Sequence, residues 1–197
     1  MATGTKRLSK PERRAQLLEA ARVIVGEAGT EALTLQVMAE RAGVTKPVAY
    51  EHFGTREGAL IALYRQLDAQ QVEAAREALA NAPATLEAAA EVIAAAYVDC
   101  CMKSGPAYLA ISAALEGSQA MHAVKDELRE TYLEQIHTAL KPFMTLTKSK
   151  ARPLFIGFLG AADAMGGEAA AGRMSRRAAI EALTQFCVGA LGPYRAD

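Results

Sequence analysis

Between Val37 and Glu57 the chain reads VMAERAGVTKPVAYEHFGTRE, and two residues four positions apart, Gly43 and Pro47, decide what it can become. Glycine readily takes the left-handed conformation that ends a helix and turns the chain sharply. Proline lacks an N–H and has a fixed φ, so it suits the first turn of a helix, where that donor is unpaired anyway. The stretch therefore predicts helix, tight turn, helix. Upstream, SKPERR sets out a further helix start: Ser9 as N-cap, Glu12 completing a capping box, and Pro11 in the first turn. Val37, Met38 and Ala39, with Val44, Val48 and Phe53, supply apolar groups to pack against Leu17, Ala21 and Ile24 of that opening helix.

The rest of the chain continues in the same idiom. It is rich in Ala, Leu, Glu and Arg, and no alternating apolar and polar run long enough for a strand occurs. Breaks at GEAGTEA, RAGVTKP, FGTRE, NAPAT, KSGPA, EGSQA, LKPFMTLTKS and AGRMS predict an all-α fold of about nine helices. Three short ones fit before Phe53, at roughly 10–28, 34–42 and 46–52. The later ones are longer, among them roughly 56–80 and 119–140. This predicts an N-terminal arm and three-helix module over residues 1–55, resting on a larger helical body over 56–197.

Composition closes off several classes. With 197 residues, 51% hydrophobic and 22% charged, the chain can bury a core. The run PLFIGFLGAADAMGG is interrupted by Asp163 and is shorter than the roughly 20 apolar residues that cross a bilayer. The N-terminus has no apolar stretch of the secretory kind, so no membrane partner and a cytoplasmic location are expected. Three cysteines, two of them adjacent (Cys100, Cys101), form neither a disulfide framework nor a zinc spacing; apolar burial is expected, with no metal and no cofactor. A Gly-rich phosphate loop, a nucleophile elbow and a two-histidine metal motif are missing, and His52, His122 and His137 have no evident acid or nucleophile partner in sequence. Catalysis is not expected.

The net charge of zero hides an asymmetry. Residues 1–56 hold nine Lys and Arg against six Asp and Glu, and the remainder thirteen against sixteen. The predicted second helix of the turn unit presents Lys46, Pro47, Ala49, Tyr50 and His52, small or flat groups with donors that suit a DNA groove and its phosphates. Lys46 and Arg56 each follow a Thr at a helix start, where the helix dipole disfavours a cation. Either both extend into water, or a phosphate meets the cation and the free backbone N–H groups together.

Two strongly apolar helices close the chain. One carries Phe155, Phe158, Leu159, Ala162 and Met165, the other Leu183 and Phe186, with small residues interleaved. They offer more apolar surface than a terminal pair easily hides, so a symmetric dimer formed by two helices from each partner is expected. The alternative is that both helices are core within one subunit.

From Arg13 to Leu60, RRAQLLEAARVIVGEAGTEALTLQVMAERAGVTKPVAYEHFGTREGAL resembles the tetracycline-repressor (TetR) family of bacterial transcriptional regulators. The shared features are the AA helix ended by EAG, the Thr-led helix with AERAGV, then YxHF and a polar TRExL. The resemblance implies a helix-turn-helix DNA-binding domain in which Thr34, Tyr50, His52 and Arg56 contact phosphates. Gln36, Thr45, Lys46, Pro47 and Val48 would lie where base or groove contacts are made. Pro47 and Arg56 depart from the commoner small residue and Lys, which leaves the operator sequence open.

The resemblance further implies a homodimer on a palindromic double-stranded DNA operator and a small organic effector held in the larger domain. Two recognition helices must match half-sites about 34–36 Å apart, so a small tilt abolishes simultaneous docking. The function implied is a repressor released by its effector, with an activator or an effector-independent regulator of the same fold as the alternative. Tyr97, Cys101, Met102, Tyr108, Ile111, Met121, His122 and Tyr132 are the expected pocket residues, apolar with a few hydrogen-bonding groups.

Overall fold

The computed structural model describes residues 8–196, except for the side chains of Pro106, Tyr108, Leu109, Ser112 and Ala120. The expected arm before residue 8 and the Tyr108 side chain thus lie outside the described residues. The described chain is α-helical throughout, with short 3-10 turns and one isolated antiparallel bridge between Met144 and Arg195. The order is α1 (Lys10–Ala28), α2 (Leu35–Arg41), α3 (Lys46–Phe53), α4 (Arg56–Asn81), α5 (Leu86–Ser104), α6 (Pro106–Ala114), α7 (Gln119–Leu140), α8 (Lys148–Ala170) and α9 (Arg176–Leu191).

Local chemistry sets most of these limits. At α1 the capping box is complete, with Ser9 N–H donating to Glu12 Oε2 at 2.7 Å and Glu12 N–H to Ser9 Oγ at 3.4 Å. Thr34, Thr55, Thr85, Ser118 and Ser175 each accept a backbone N–H with the side-chain oxygen at the start of their helices. Thr45 does not. It occupies the N-cap position of α3 in an extended conformation, but its side chain makes no capping bond.

Helix α5 is the centre of the body, packed against α4, α8 and α9. Its buried face is Leu86, Ala89, Ala90, Ile93, Ala94, Tyr97, Val98 and Cys101, apolar residues at helical spacing in which alanines permit close approach. Gly166 of α8 sits directly against it: a Cβ there would lie 2.7 Å from Cys101 Sγ. Burial pushes the Cys101 and Cys187 thiols up to about 12 and that of Cys100 to about 11, so all three are poor nucleophiles.

The N-terminal helices are not isolated from this body. Helix α1 touches α2 on one side and α4 and α6 on the other. Leu17, Ala21 and Ile24 are buried as expected, together with Met38, Ala39 and Phe53. Val37 is not; it is 38% exposed, one position off the buried stripe of α2.

Candidate nucleic-acid interface and effector cavity

The turn between α2 and α3 is closed by two backbone bonds. Val44 N–H donates to the Ala39 carbonyl at 2.9 Å and Gly43 N–H to that of Glu40 at 3.1 Å, while Gly43 sits at φ +66°. This is the paired bonding of a glycine-terminated helix, which a residue with a Cβ would strain. Gln16 of α1 holds the turn from behind, its amide donating to the Ala42 carbonyl at 3.1 Å. Arg14 fixes the far end of α3, donating to the His52 carbonyl and lying 4.8 Å above the Phe53 ring centre. Helix α1 therefore holds the end of α2 ahead of the turn and the far end of α3.

What α3 offers to solvent is narrower than its sequence suggested. Lys46, Pro47, Tyr50 and Glu51 are exposed, and Val48 and His52 are half-buried. Ala49, expected on the outward face, is fully buried, because it is the residue of α3 that lies against the core. Lys46 Nζ stands 5.6 Å from the centre of the Tyr50 ring, so the two most prominent groups form one cation–π unit. Lys10 meets Glu51 at 3.3 Å across the edge. On α2, Thr34 caps the helix, and exposed Gln36 donates to Glu40 at 3.0 Å. Thr45 is exposed at the head of α3.

Arg56 behaves differently from the expectation built on its charge. Its Nε donates to the Leu33 carbonyl at 3.0 Å, and Nη2 donates to the Thr30 carbonyl at 2.7 Å and to Glu31 Oε1 at 2.9 Å. The cation at the start of α4 is answered inside the chain, by the turn that joins α1 to α2. No external anion is required to explain it.

In the body, the expected pocket residues separate. Tyr97 and Tyr132 come together, with ring centres 6.0 Å apart, at a cavity of about 60 Å3. Cys101 is buried against Gly166, while Ile111 and Met121 are buried and line neither the 60 Å3 cavity nor its larger neighbour. Met102 is 39% exposed, and His122 is on the surface between Glu116 at 2.6 Å and Asp126 at 3.4 Å. Neither belongs to the cavity: Met102 lies on the outer face of α5, and His122 in the first turn of α7 faces its own acidic neighbours.

The sequence reading missed Tyr64, Asp68 and Gln71 of α4 and Asp163 of α8, which line the same cavity with Lys125, Leu128 and Arg129. Positions 64, 68 and 71 stand at helical spacing on the apolar side of α4, and polar residues there were the available signal. Beyond Tyr132 lies a larger cavity of about 310 Å3, walled by Val72, Ala75, Leu79, Ile93, Ile136 and Ala139 among others. The Tyr97 hydroxyl donates to Asp163 Oδ1, and burial pushes the Asp68 carboxyl up to about 6.

The terminal helices also divide otherwise than expected. Phe155, Phe158, Leu159, Ala162 and Leu183 are buried within the chain, against α5 and one another, so they are core and not a face awaiting a partner. Met165 is half-buried. Phe186 is 43% exposed and Ile156 40%, beside a row of exposed small residues, Gly157, Gly160 and Ala164 on α8 and Gly189 on α9.

Residues 17–63 match the family model of bacterial regulatory proteins, tetR family. Over 74 residues the chain is 43% identical to the HTH-type transcriptional activator FasR of Mycolicibacterium smegmatis, and over 58 residues 41% identical to the HTH-type transcriptional regulator BetI of Rhizobium meliloti. These matches cover 37% and 29% of this chain, and only 33% and 29% of those proteins' length. The fold is shared far more widely. A putative TetR-family regulator from Rhodococcus sp. superposes with a TM-score of 0.78 at 16% identity, over 92% of this chain and 99% of that one. FadR from Bacillus subtilis, solved in complex with stearoyl-CoA, superposes with a TM-score of 0.75 at 17% identity, over 89% and 98%. With the glycine-closed turn and the exposed α3 surface, these likenesses show a domain of the tetR family of bacterial regulatory proteins over residues 17–63, and over the whole chain the fold of the solved structures named above.

Proposed function

We propose that the protein regulates transcription as a homodimer, binding a palindromic DNA operator through α3 and answering a small organic effector held in the body. The observation that carries this is the α2–α3 unit: a turn locked by Gly43 and Gln16, with Lys46, Pro47 and Tyr50 exposed on a helix whose other face is buried. Residues 1–55 act as the reading head and 56–197 as the effector and dimerisation body. Lys46, Tyr50, Thr45 and Pro47 are the groups placed to meet DNA, with Thr34, Gln36, Val48 and His52 at its edges. Arg56 acts as a positioning residue that fixes α4 to the head.

Dimerisation uses the exposed face of α8 and α9 around Ile156 and Phe186, whose small neighbours permit close helix approach. Helix α4 runs from the Arg56 clamp to Tyr64, Asp68 and Gln71 at the cavity, so an effector that displaces it changes the spacing of the two heads. A ligand seen bound in the similarly folded FadR supports the effector reading. Repression released by the effector is the first reading; activation is the second, favoured by the likeness to FasR, a transcriptional activator. The place of action is the cytoplasm, in keeping with the lack, among the described residues, of any helix long and apolar enough to cross a membrane.

Selection from a random duplex pool tests the reading. A two-fold-symmetric motif bound by a protein dimer is expected; enrichment of no sequence at any salt concentration would sink it.

A further inference from the structure

The exposed side chains of α3 differ in what they can bond. At about 100° per residue, Pro47 and Tyr50 take the middle of the solvent-facing arc, with Lys46 at one edge and Glu51 at the other. Lys46 can only donate, Tyr50 can donate or accept, and the Pro47 ring does neither. Glu51, the one acidic residue of α3, can only accept when ionised. A carboxylate on a surface that meets DNA calls for a reason, because phosphates repel it.

Its partner within the chain does not supply that reason. Lys10 Nζ, from the first residue of α1, stands 3.3 Å from Glu51 Oε1, but the two side chains are 72% and 65% exposed. A pair so open to water contributes little to stability. The far end of α3 is held instead by Arg14 on the His52 carbonyl and by the burial of Ala49 and Phe53. What Lys10 does provide is a counter-charge at the outer edge of the helix, which lowers the repulsion that Glu51 would meet on approaching phosphates. A carboxylate has about four lone-pair sites, so this one contact leaves most of its accepting capacity unused.

The major groove offers an acceptor few choices. Its base-edge donors are the N4 amino group of cytosine and the N6 amino group of adenine. Adenine places the N7 acceptor beside its donor, where it repels a carboxylate, whereas cytosine presents its donor alone. We infer that Glu51 is a specificity-determining residue, its carboxylate accepting from N4 of one cytosine in each half-site while Lys10 supplies the counter-charge. This rests on the reading of α3 as the DNA-contacting helix and narrows it to one base of the operator. Lys46 and Tyr50 position the helix, and Glu51 selects the sequence.

The test repeats the duplex-pool selection with Glu51→Gln and Glu51→Ala, both at an exposed position, with circular dichroism to confirm that each variant is folded. The wild-type motif is expected to carry cytosine at one position of each half-site, preferred roughly tenfold over the other bases. Glu51→Gln is expected to move that preference to adenine, since an amide accepts from N6 while donating to N7. Glu51→Ala is expected to leave the position unspecified and the rest of the motif unchanged. A role confined to holding Lys10 would instead alter affinity for all sequences alike. The same motif from all three proteins, or a changed position that is not cytosine in the wild-type motif, overturns the inference and leaves α3 as the reading helix. No motif from the wild-type protein overturns both.

Discussion

Arg56 Nη2 donates to the carbonyl of Thr30 at 2.7 Å, joining the first residue of α4 to the turn that separates α1 from α2. With the companion bond to Leu33 at 3.0 Å, one side chain holds the head to the long helix that lines the cavity. Arg56, expected from the resemblance to contact phosphate, is bonded within the chain and ties α4 to the turn between α1 and α2.

Arg56→Ala is expected to destabilise the protein by about 2 kcal/mol, since charge-assisted bonds to part-buried carbonyls are lost and the acceptors are left unpaired. Chemical denaturation with an unchanged m-value would read this directly. Wild-type stability combined with a salt dependence of operator binding smaller by about one phosphate would instead place Arg56 on the DNA.

Tyr50→Ala and Lys46→Ala behave oppositely. Both side chains are exposed and touch chiefly each other, so stability changes by less than about 0.5 kcal/mol. Operator affinity falls, and Lys46→Ala lowers the salt slope by about one unit. Anisotropy titrations at several salt concentrations would measure both, and unaltered affinity in the two variants would remove α3 as the reading helix.

The Asp68 carboxyl is raised by burial to about 6 from an ordinary 3.8. The folded protein then binds the proton more tightly than the unfolded chain, so stability associated with this group falls as pH rises from about 4 to about 6 and stays lower above that window. The ionised group costs at most about 3 kcal/mol, less by the screening from solvent that reaches it. Without ligand, Asp68→Asn is therefore expected to melt higher than wild type near pH 7.5, with the difference shrinking towards pH 4. A constant difference across that range would assign the gain to some other cause.

Substitutions on the terminal helices separate core from interface. Phe158→Asp places a charge in a site only 2% exposed and is expected to abolish folding. Ile156→Asp and Phe186→Asp, on exposed positions, are expected to give soluble, helical monomers. Sizing chromatography with circular dichroism distinguishes these outcomes; dimers of unchanged affinity from both exposed-site variants would move the interface elsewhere.

What the sequence determined by itself lay within a few residues of each position. Gly43, Pro47 and the Ser9–Glu12 pair specify helix ends through bonds spanning at most five residues, and apolar spacing marks which helices have a buried side. The all-α fold and the helix-turn-helix unit followed from those signals, and with them the exposure of Lys46 and Tyr50. Tertiary structure decided everything that depended on a distant partner. Arg56 finds Thr30 and Leu33 across 26 and 23 positions, and Tyr97 finds Asp163 across 66. Helix α8 has apolar residues on more than one side, so only its packing on α5 could turn Phe158 inward and leave Ile156 outside. The reason is common to all three cases: periodicity reports that a side chain can be buried or paired, whereas the neighbour that buries or pairs it is chosen by helix packing.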